Sequence, residues 1–442
     1  MTDGLRIAYF SPLNPQRSGI SDYSEELLPF LAARGLEITL YVDGFKPSNR
    51  ALLERFAVAD YRAEPSRLGR LGGYDAAVYH VGNDHRYHAG IFDAARAAPG
   101  VVVLHDFSLQ HFLIGLARER GDFNVYLDEV GACEGPELRA EAEEALTRGA
   151  VPSIHARPAD FPLNCRLVNA AEAVIVHSEW SRRGLARIAP ATPTRRVNHH
   201  VLPDAFARRH EAGRAGSRVE LASFGHITTE KGIERTLRVL AELRARFDFH
   251  YTLVGQPDNF EIQELVRALG LADRVTVTGY VSLAEFQRRI AAADLAINLR
   301  DRTVGETSGS VCRAMAAGVP VVVSNVGWFA ELPDDAAAKV ETGETADASL
   351  RAELTRLLED DALRRRVGER ARDYVLAEHS IEKSADGYAD FIRETVARRA
   401  RRRLVGRVSS EIARIGVGAA DERLLRGVAS EITRIAPRKP AG

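Results

Sequence analysis

The residues best placed to do chemistry are a carboxylate followed by a run of glycine and hydroxyl residues, Glu306-Thr307-Ser308-Gly309-Ser310. The following residues, 310–317, predict a helix with Val311, Ala314 and Met315 turned inward, stopped by Gly318-Val319-Pro320. A helix start with small polar residues presents free backbone N–H groups and a positive dipole, which suits a phosphate. Glu306 beside it would repel an anion, so its carboxylate must turn to another group, such as a sugar hydroxyl. A second stretch, Phe224-Gly225-His226-Ile227-Thr228-Thr229-Glu230-Lys231-Gly232, follows an apolar run and opens another helix. Gly225 lets the backbone approach a ligand, and Lys231 reaches a diphosphate as a point charge. His105-Asp106 ends a strand, where α/β proteins place their ligands; this ranks His105 above His80, His177 and His199. Asn83, His85 and His88 have no zinc-ligand spacing, and no metal is expected.

The elements that must position these groups alternate between strand and helix. Short apolar runs at 5–10, 38–42, 76–80, 101–105 and 173–177 have helical stretches between them, which predicts a parallel, doubly wound α/β domain. Residues 121–162 are polar and predict a single helix at 137–147 within an otherwise irregular insertion. Residues 203–217, charged and without periodicity, read as a linker. A second α/β series follows, with strands at 219–225, 249–254, 274–277, 295–299 and 321–324. Two Rossmann-like domains in tandem make a cleft. The expected division is 1–205, 206–383, a returning helix at 384–400 and a tail at 401–442.

The 442 residues carry 45% hydrophobic and 27% charged side chains and a formal net charge of −1, which gives no reason to expect nucleic acid. From Arg398 onward twelve Lys/Arg face four Asp/Glu, a net of +8, so the rest carries about −9. Within this tail Val408-Ser-Ser-Glu-Ile-Ala-Arg-Ile415 recurs as Val428-Ala-Ser-Glu-Ile-Thr-Arg-Ile435, each with Val and two Ile on one helical face. Two short amphipathic helices joined at Gly416-Val417-Gly418 are expected, offering an anionic membrane surface or a second copy a place to bind. Cys133, Cys165 and Cys312 are far apart and odd in number, which favours reduced thiols and a cytoplasmic protein, and the start shows no signal pattern. Apolar runs stay short of the ~20 residues that span a bilayer, so any membrane contact at the inner face is expected to be peripheral. Neither G-x-G-x-x-G after the first strand nor G-x-x-x-x-G-K-[ST] occurs, which argues against dinucleotide dehydrogenases and P-loop enzymes.

GETSGSVCRAMAAGVPVVVSNVGWFAELP resembles the donor-site segment of retaining GT-B glycosyltransferases, glycosyltransferase family 4. Glu306, Ala314-Met315-Ala316, Gly318, Pro320, Gly327 and Glu331 match that family's pattern. Its second Glu is replaced: Arg313 stands before Ala314, with spacing one residue short. Residues 225–232 are similar to the family's G-R…E-K-G, with His226 in place of Arg. The resemblance implies a GT-B fold and metal-independent transfer of a sugar from a nucleotide-diphosphate sugar, the co-substrate, to a glycan, lipid-linked or small-molecule acceptor, with no cofactor. By the same resemblance His105 touches the reacting sugar and Glu306 the sugar hydroxyls. Gly19, in a glycine loop with Ser18, lies near the donor phosphates, and the Val281 backbone lies at the nucleobase. His226, Lys231, Thr307, Ser308, Gly309 and Ser310 hold the diphosphate. Arg313 either points to solvent or replaces at the phosphate the charge missing at His226. A nucleotide-sugar epimerase and a non-catalytic sugar-nucleotide or glycan-binding protein are the alternatives.

Overall fold

Strands rich in Val, Ile, Ala and aromatic residues, apolar on both faces, have to be covered by helices on both sides, and the computed structural model shows two such sheets. It describes residues 4–202, 218–257, 262–414 and 421–435. In the first sheet the strands are β1 (Leu5–Phe10), β2 (Leu36–Val42), β3 (Ala57–Asp60), β4 (Ala76–Val81), β5 (Val101–Leu104), β6 (Ala173–Val176) and β7 (Thr194–Arg196). Their order is β3-β2-β1-β4-β5-β6-β7, with every pairing parallel. In the second, β8 (Val219–Phe224), β9 (Phe249–Val254), β10 (Val275–Val277), β11 (Leu295–Asn298), β12 (Val321–Ser324) and β13 (Ala338–Val340) lie in the order β10-β9-β8-β11-β12-β13, again parallel.

Alternation along each strand divides the core into two layers per sheet. Ile7 and Tyr9 pack on one face of the first sheet, and Ala8 and Phe10 on the other. In the second, Leu221 and Ala222 part in the same way. Each fully buried Phe or Leu contributes about 1.5–3 kcal/mol, enough to fix the strand register that aims all loops at one edge.

Three features differ from the sequence reading. Residues 121–162 are mostly helical: Asn124–Glu134 and Pro136–Thr147 pack an apolar stripe, including Tyr126, Leu127 and Val130, against Leu113 and Leu116. Pro136–Thr147 falls where a helix was expected at 137–147; Asn124–Glu134 is the addition, and its Glu129 is buried in ion pairs with Arg96 and Arg166. Cys133 and Cys165, expected as reduced thiols, form a disulfide with Cα atoms 5.6 Å apart, because helix Cys165–Ala170 packs beside Asn124–Glu134. Only Cys312 is a free thiol, buried against His379. The returning helix and residues 408–414 of the first copy of the repeat are one element, Ile381–Arg414, while Ile415 lies outside the described residues. Its Ile381, Ala385, Tyr388 and Ile392 complete the first domain's core, and Arg399 pairs with Glu172. Beyond it the helix carries the exposed Leu404 and Val405. The second copy forms helix Glu422–Ile435, while Gly416-Val417-Gly418 and the 203–217 linker lie outside the described residues. Among the described residues no helix is long and apolar enough to cross a membrane.

Candidate active site

On the second domain, β8 ends at Phe224 and the chain turns through Gly225, whose φ of +90° is open to glycine at little cost. A 3-10 turn, Thr229–Lys231, then brings the Lys231 ammonium back to the Phe224 carbonyl, 3.4 Å away. Burial first, and then the positive charge of Arg300, push Lys231 down to about 7, with Glu306 opposing. His226 is exposed on the same turn.

Arg300 is the residue the sequence reading missed. It follows β11 at the carboxyl edge of the sheet, so its position was the available signal. Its guanidinium donates to Asn298 Oδ1 at 2.8 Å and to the Leu299 carbonyl at 2.7 Å, and it lies over the Phe329 ring. Glu306 accepts from Arg300 Nε at 2.5 Å, from the Thr303 hydroxyl at 3.1 Å and from Val304 N–H at 3.0 Å. Both oxygens of Glu306 are therefore used inside the protein, where the expectation had them on a sugar. The helix is Gly309–Ala316, capped by Ser308, which accepts from Val311 N–H at 3.3 Å. Ser310 is held by Ser308 and Asn298. The Thr307 hydroxyl is buried with no hydrogen-bond partner among the described residues. Two cations, one carboxylate, an unused hydroxyl and a helix start thus share one edge, an arrangement that favours an anion. Val281 lies half-buried against the second-domain core, just after Gly279.

Across the cleft, His105 is bound into a chain of imidazoles. His177 Nδ1–H donates to the Val197 carbonyl at 2.8 Å, so its Nε2 accepts from His105 Nδ1–H at 3.3 Å. His105 Nε2 is then left to accept from His80 Nδ1–H at 2.9 Å. Burial above all keeps the three rings below the usual histidine range and hence neutral. With both ring nitrogens engaged and Tyr23 edge-on at 5.0 Å, His105 is a packed strand-end residue. The expected polar contact to a sugar is not what these nitrogens offer. Asp106, next in the chain, accepts from Asn83 N–H at 2.8 Å and senses the charges of Glu306 and Arg300 from the other domain. Asn83 also accepts from Phe112 N–H, and His88 is tied to the His80 carbonyl. Gly19 begins helix Gly19–Ala33, behind the Ser18 cap, and a Cβ there would meet nothing within 4 Å.

The domains touch across the cleft. Arg313 is neither at the surface nor free for a phosphate: its Nη2 donates to Glu26 of the first domain at 2.8 Å, and both side chains are about 15% exposed. The helix start faces the first domain so closely that this longer side chain reaches across. Burial would raise the Glu26 carboxyl, but His200, 3.4 Å away, and Arg313 more than offset it and hold it below its usual range. Glu331 accepts from Glu179 N–H at 3.0 Å and Trp180 N–H at 2.5 Å, capping helix Glu179–Ile188 of the opposite domain. Ser108 N–H donates to the Val304 carbonyl at 2.8 Å, and Arg17 stacks on Tyr280 with 4.5 Å to the ring centre. Gly305, at φ +78°, lies where a Cβ would strike Phe107 and Trp180, so only glycine permits this approach. Gly309 likewise faces His199.

Residues 206–374 match the model of a family described as glycosyl transferases group 1. Alpha-D-kanosaminyltransferase of Streptomyces kanamyceticus is 30% identical over 245 residues, 51% of this chain and 61% of that protein, so the chain spans less than two thirds of this relative. Sucrose-phosphate synthase from Thermosynechococcus elongatus superposes with a TM-score of 0.64 at 18% identity, covering 89% of this chain and 99% of that one. Anabaena HepE, solved with UDP and glucose, gives 0.61 at 16%, covering 88% and 99%. At such identities the likeness shows the fold, two facing Rossmann-like domains of the GT-B type.

Proposed function

We propose, proceeding from a second domain that belongs to the glycosyl transferases group 1 family, that this protein moves a sugar from a nucleotide-diphosphate donor to a hydroxyl acceptor with retention at the anomeric carbon. The observation that carries this reading is the pair Lys231 and Arg300, two cations close enough to depress the lysine, with Glu306 as the carboxylate of the donor wall bonded to Arg300. A diphosphate supplies the missing charge, and the Thr307 hydroxyl and the helix start at Gly309 supply donors. The HepE structure, bound to UDP and glucose in the same fold, supports it. As the donor bond breaks, charge grows on the diphosphate and the fixed cations stabilise it without reorganising. Glu306, spent on Arg300, is no nucleophile, which supports attack by the acceptor on the face the diphosphate leaves. The reaction as proposed takes no metal and no cofactor, and the acceptor is a glycan, a lipid-linked sugar or a small molecule.

The basic end of helix Ile381–Arg414 and helix Glu422–Ile435 supports a tail that holds the protein at an anionic surface or to a second copy. Vesicle co-sedimentation and sizing separate the two. For the main reading the test is a thermal-shift panel of UDP, GDP and ADP with their hexose conjugates. At ~100 times the dissociation constant the correct ligand adds about 2.7 kcal/mol. A panel with no shift removes the donor site.

A further inference from the structure

Beyond Asn83 the first-domain wall of the cleft continues into a group of basic side chains outside the donor site. His111 and Arg118 stand seven residues apart on helix Gln110–Arg120, two turns along one face. Asn83 Oδ1 accepts from Phe112 N–H at 2.8 Å, so its Nδ2 donates to His111 Nδ1 at 3.4 Å and the proton of that neutral ring sits on Nε2. His155 packs edge-on against the same ring, 4.8 Å between centres, from a 3-10 turn, Ser153–Ala156, within the 121–162 insertion. Gln110 holds that turn by donating to the carbonyls of Ile154 at 3.0 Å and Phe161 at 2.5 Å. From the other domain Arg302 donates to the Ala156 carbonyl at 2.8 Å. Arg118, Arg302 and Glu230 face His155, and Glu230 and Glu306 face His111.

Charge in this group is unbalanced. Among the described residues Arg118 and Arg302 have no carboxylate partner, whereas Arg96, Arg120, Arg139 and Arg157 are all paired. Of the two carboxylates in range, Glu306 is bonded to Arg300 and Glu230 to its own turn at Thr228 and Thr229. Neither ring nitrogen of His155 has a hydrogen bond among the described residues. We propose that this mouth binds an anionic group of the acceptor, a phosphate or a carboxylate set apart from the reacting hydroxyl, with Arg118, His111, His155 and Arg302 as its ligands. That the anion belongs to the acceptor rests on the transferase reading above; that the mouth takes an anion rests on its own charges. Guanidinium forks match the paired oxygens of either group. Burial first holds both imidazoles below the usual histidine range, His155 at about 4, and an anion seated between them favours their charged form. The insertion, which supplies His155, thereby selects the acceptor.

The test is calorimetric titration of the full chain with glucose 6-phosphate, glucuronate and glucose, the donor site being filled beforehand by whichever of UDP, GDP and ADP binds. At least one of the two anionic sugars is expected to bind about tenfold or more tightly than glucose. A lead for glucose 6-phosphate assigns a phosphorylated acceptor, and a lead for glucuronate an acidic sugar. Arg118→Gln and, separately, His155→Gln should each weaken that anionic sugar by about tenfold, with glucose and the nucleoside diphosphate held within about threefold of wild type. Arg118 is exposed, so its replacement leaves the core intact even where His155→Gln folds poorly. Equal affinity of wild type for all three sugars, or an anionic sugar bound as tightly by both variants, overturns the anion site and leaves the donor site standing. Binding of an anionic sugar that depends on Arg118, in a protein that takes none of the three diphosphates, overturns the donor site and keeps the anion site.

Discussion

The two walls of the cleft are built on opposite plans. The donor wall gathers cations, hydroxyls and a helix start from two continuous stretches, 224–232 and 298–310, each a strand end and the loop after it. The acceptor wall gathers imidazoles from β4, β5, β6 and the segment after β7, residues tens of positions apart, and packs them neutral. A wall that binds a highly charged group keeps charge and leaves it partly uncompensated. A wall that faces a hydroxyl is dry, with one carboxylate, Asp106, at a strand end. The difference shows how one fold holds a diphosphate on one side and works on a neutral group on the other.

The most severe test of this contrast empties the donor wall. Lys231→Met is expected to lower turnover about a thousandfold, as removing a preorganised charge at a leaving group does, measured as diphosphate release. A loss under tenfold would make Lys231 a structural lysine. Glu306→Gln strands the buried Arg300 cation, and urea unfolding should show a loss of about 3 kcal/mol. Bare diphosphate should bind the Gln variant no more weakly, since a repelling carboxylate has gone; weaker binding would mean that Glu306 supports the anion.

The sign of the pH dependence follows from Lys231. Its free-protein value of about 7 lies below the ordinary lysine range, so above that pH a bound anion must recruit a proton. Diphosphate affinity should fall by up to about tenfold per pH unit above 7, and Lys231→Met should flatten this slope in calorimetry. A wild-type slope of zero would show the lysine already charged. Smaller still is the clasp between the walls. A double-mutant cycle of Arg313→Ala and Glu26→Ala should give a coupling of about 1–3 kcal/mol in stability. Diphosphate affinity of Arg313→Ala should stay within threefold; a larger loss returns Arg313 to the phosphate. Removing residues 404–442 should shift stability by no more than about 0.5 kcal/mol, because Leu404, Val405 and Leu424 are exposed. A larger shift would mean that the tail packs on the domains.

Short continuous apolar runs, turn glycines and a helix cap are local events, so the alternating order of strands and helices and the stretch 224–232 are legible in the amino-acid sequence. Serine at 308 and the turn at Gly225 have their cause within a few residues. Arg300 has no such signature, because an arginine after a strand has no diagnostic spacing; its meaning lies in Asn298, Leu299 and Glu306 closing around it. The helix Asn124–Glu134 has no clear apolar period in the sequence, whereas Pro136–Thr147 falls where a helix was expected, and the disulfide was hidden by a separation of 32 residues that packing reduces to 5.6 Å.

The linear order of residues is enough to specify the pair of parallel sheets and the donor-side loops, because hydrophobic periodicity and backbone conformation act over neighbouring residues. The roles of three side chains arise only when the chain is folded: His105 is consumed by two other histidines, Asp106 is tied to the Asn83 N–H, and Arg313 spans to Glu26. Charge, burial and hydrogen-bond partners belong to groups that meet across hundreds of residues, and the chain order of those residues carries no record of which ones will meet.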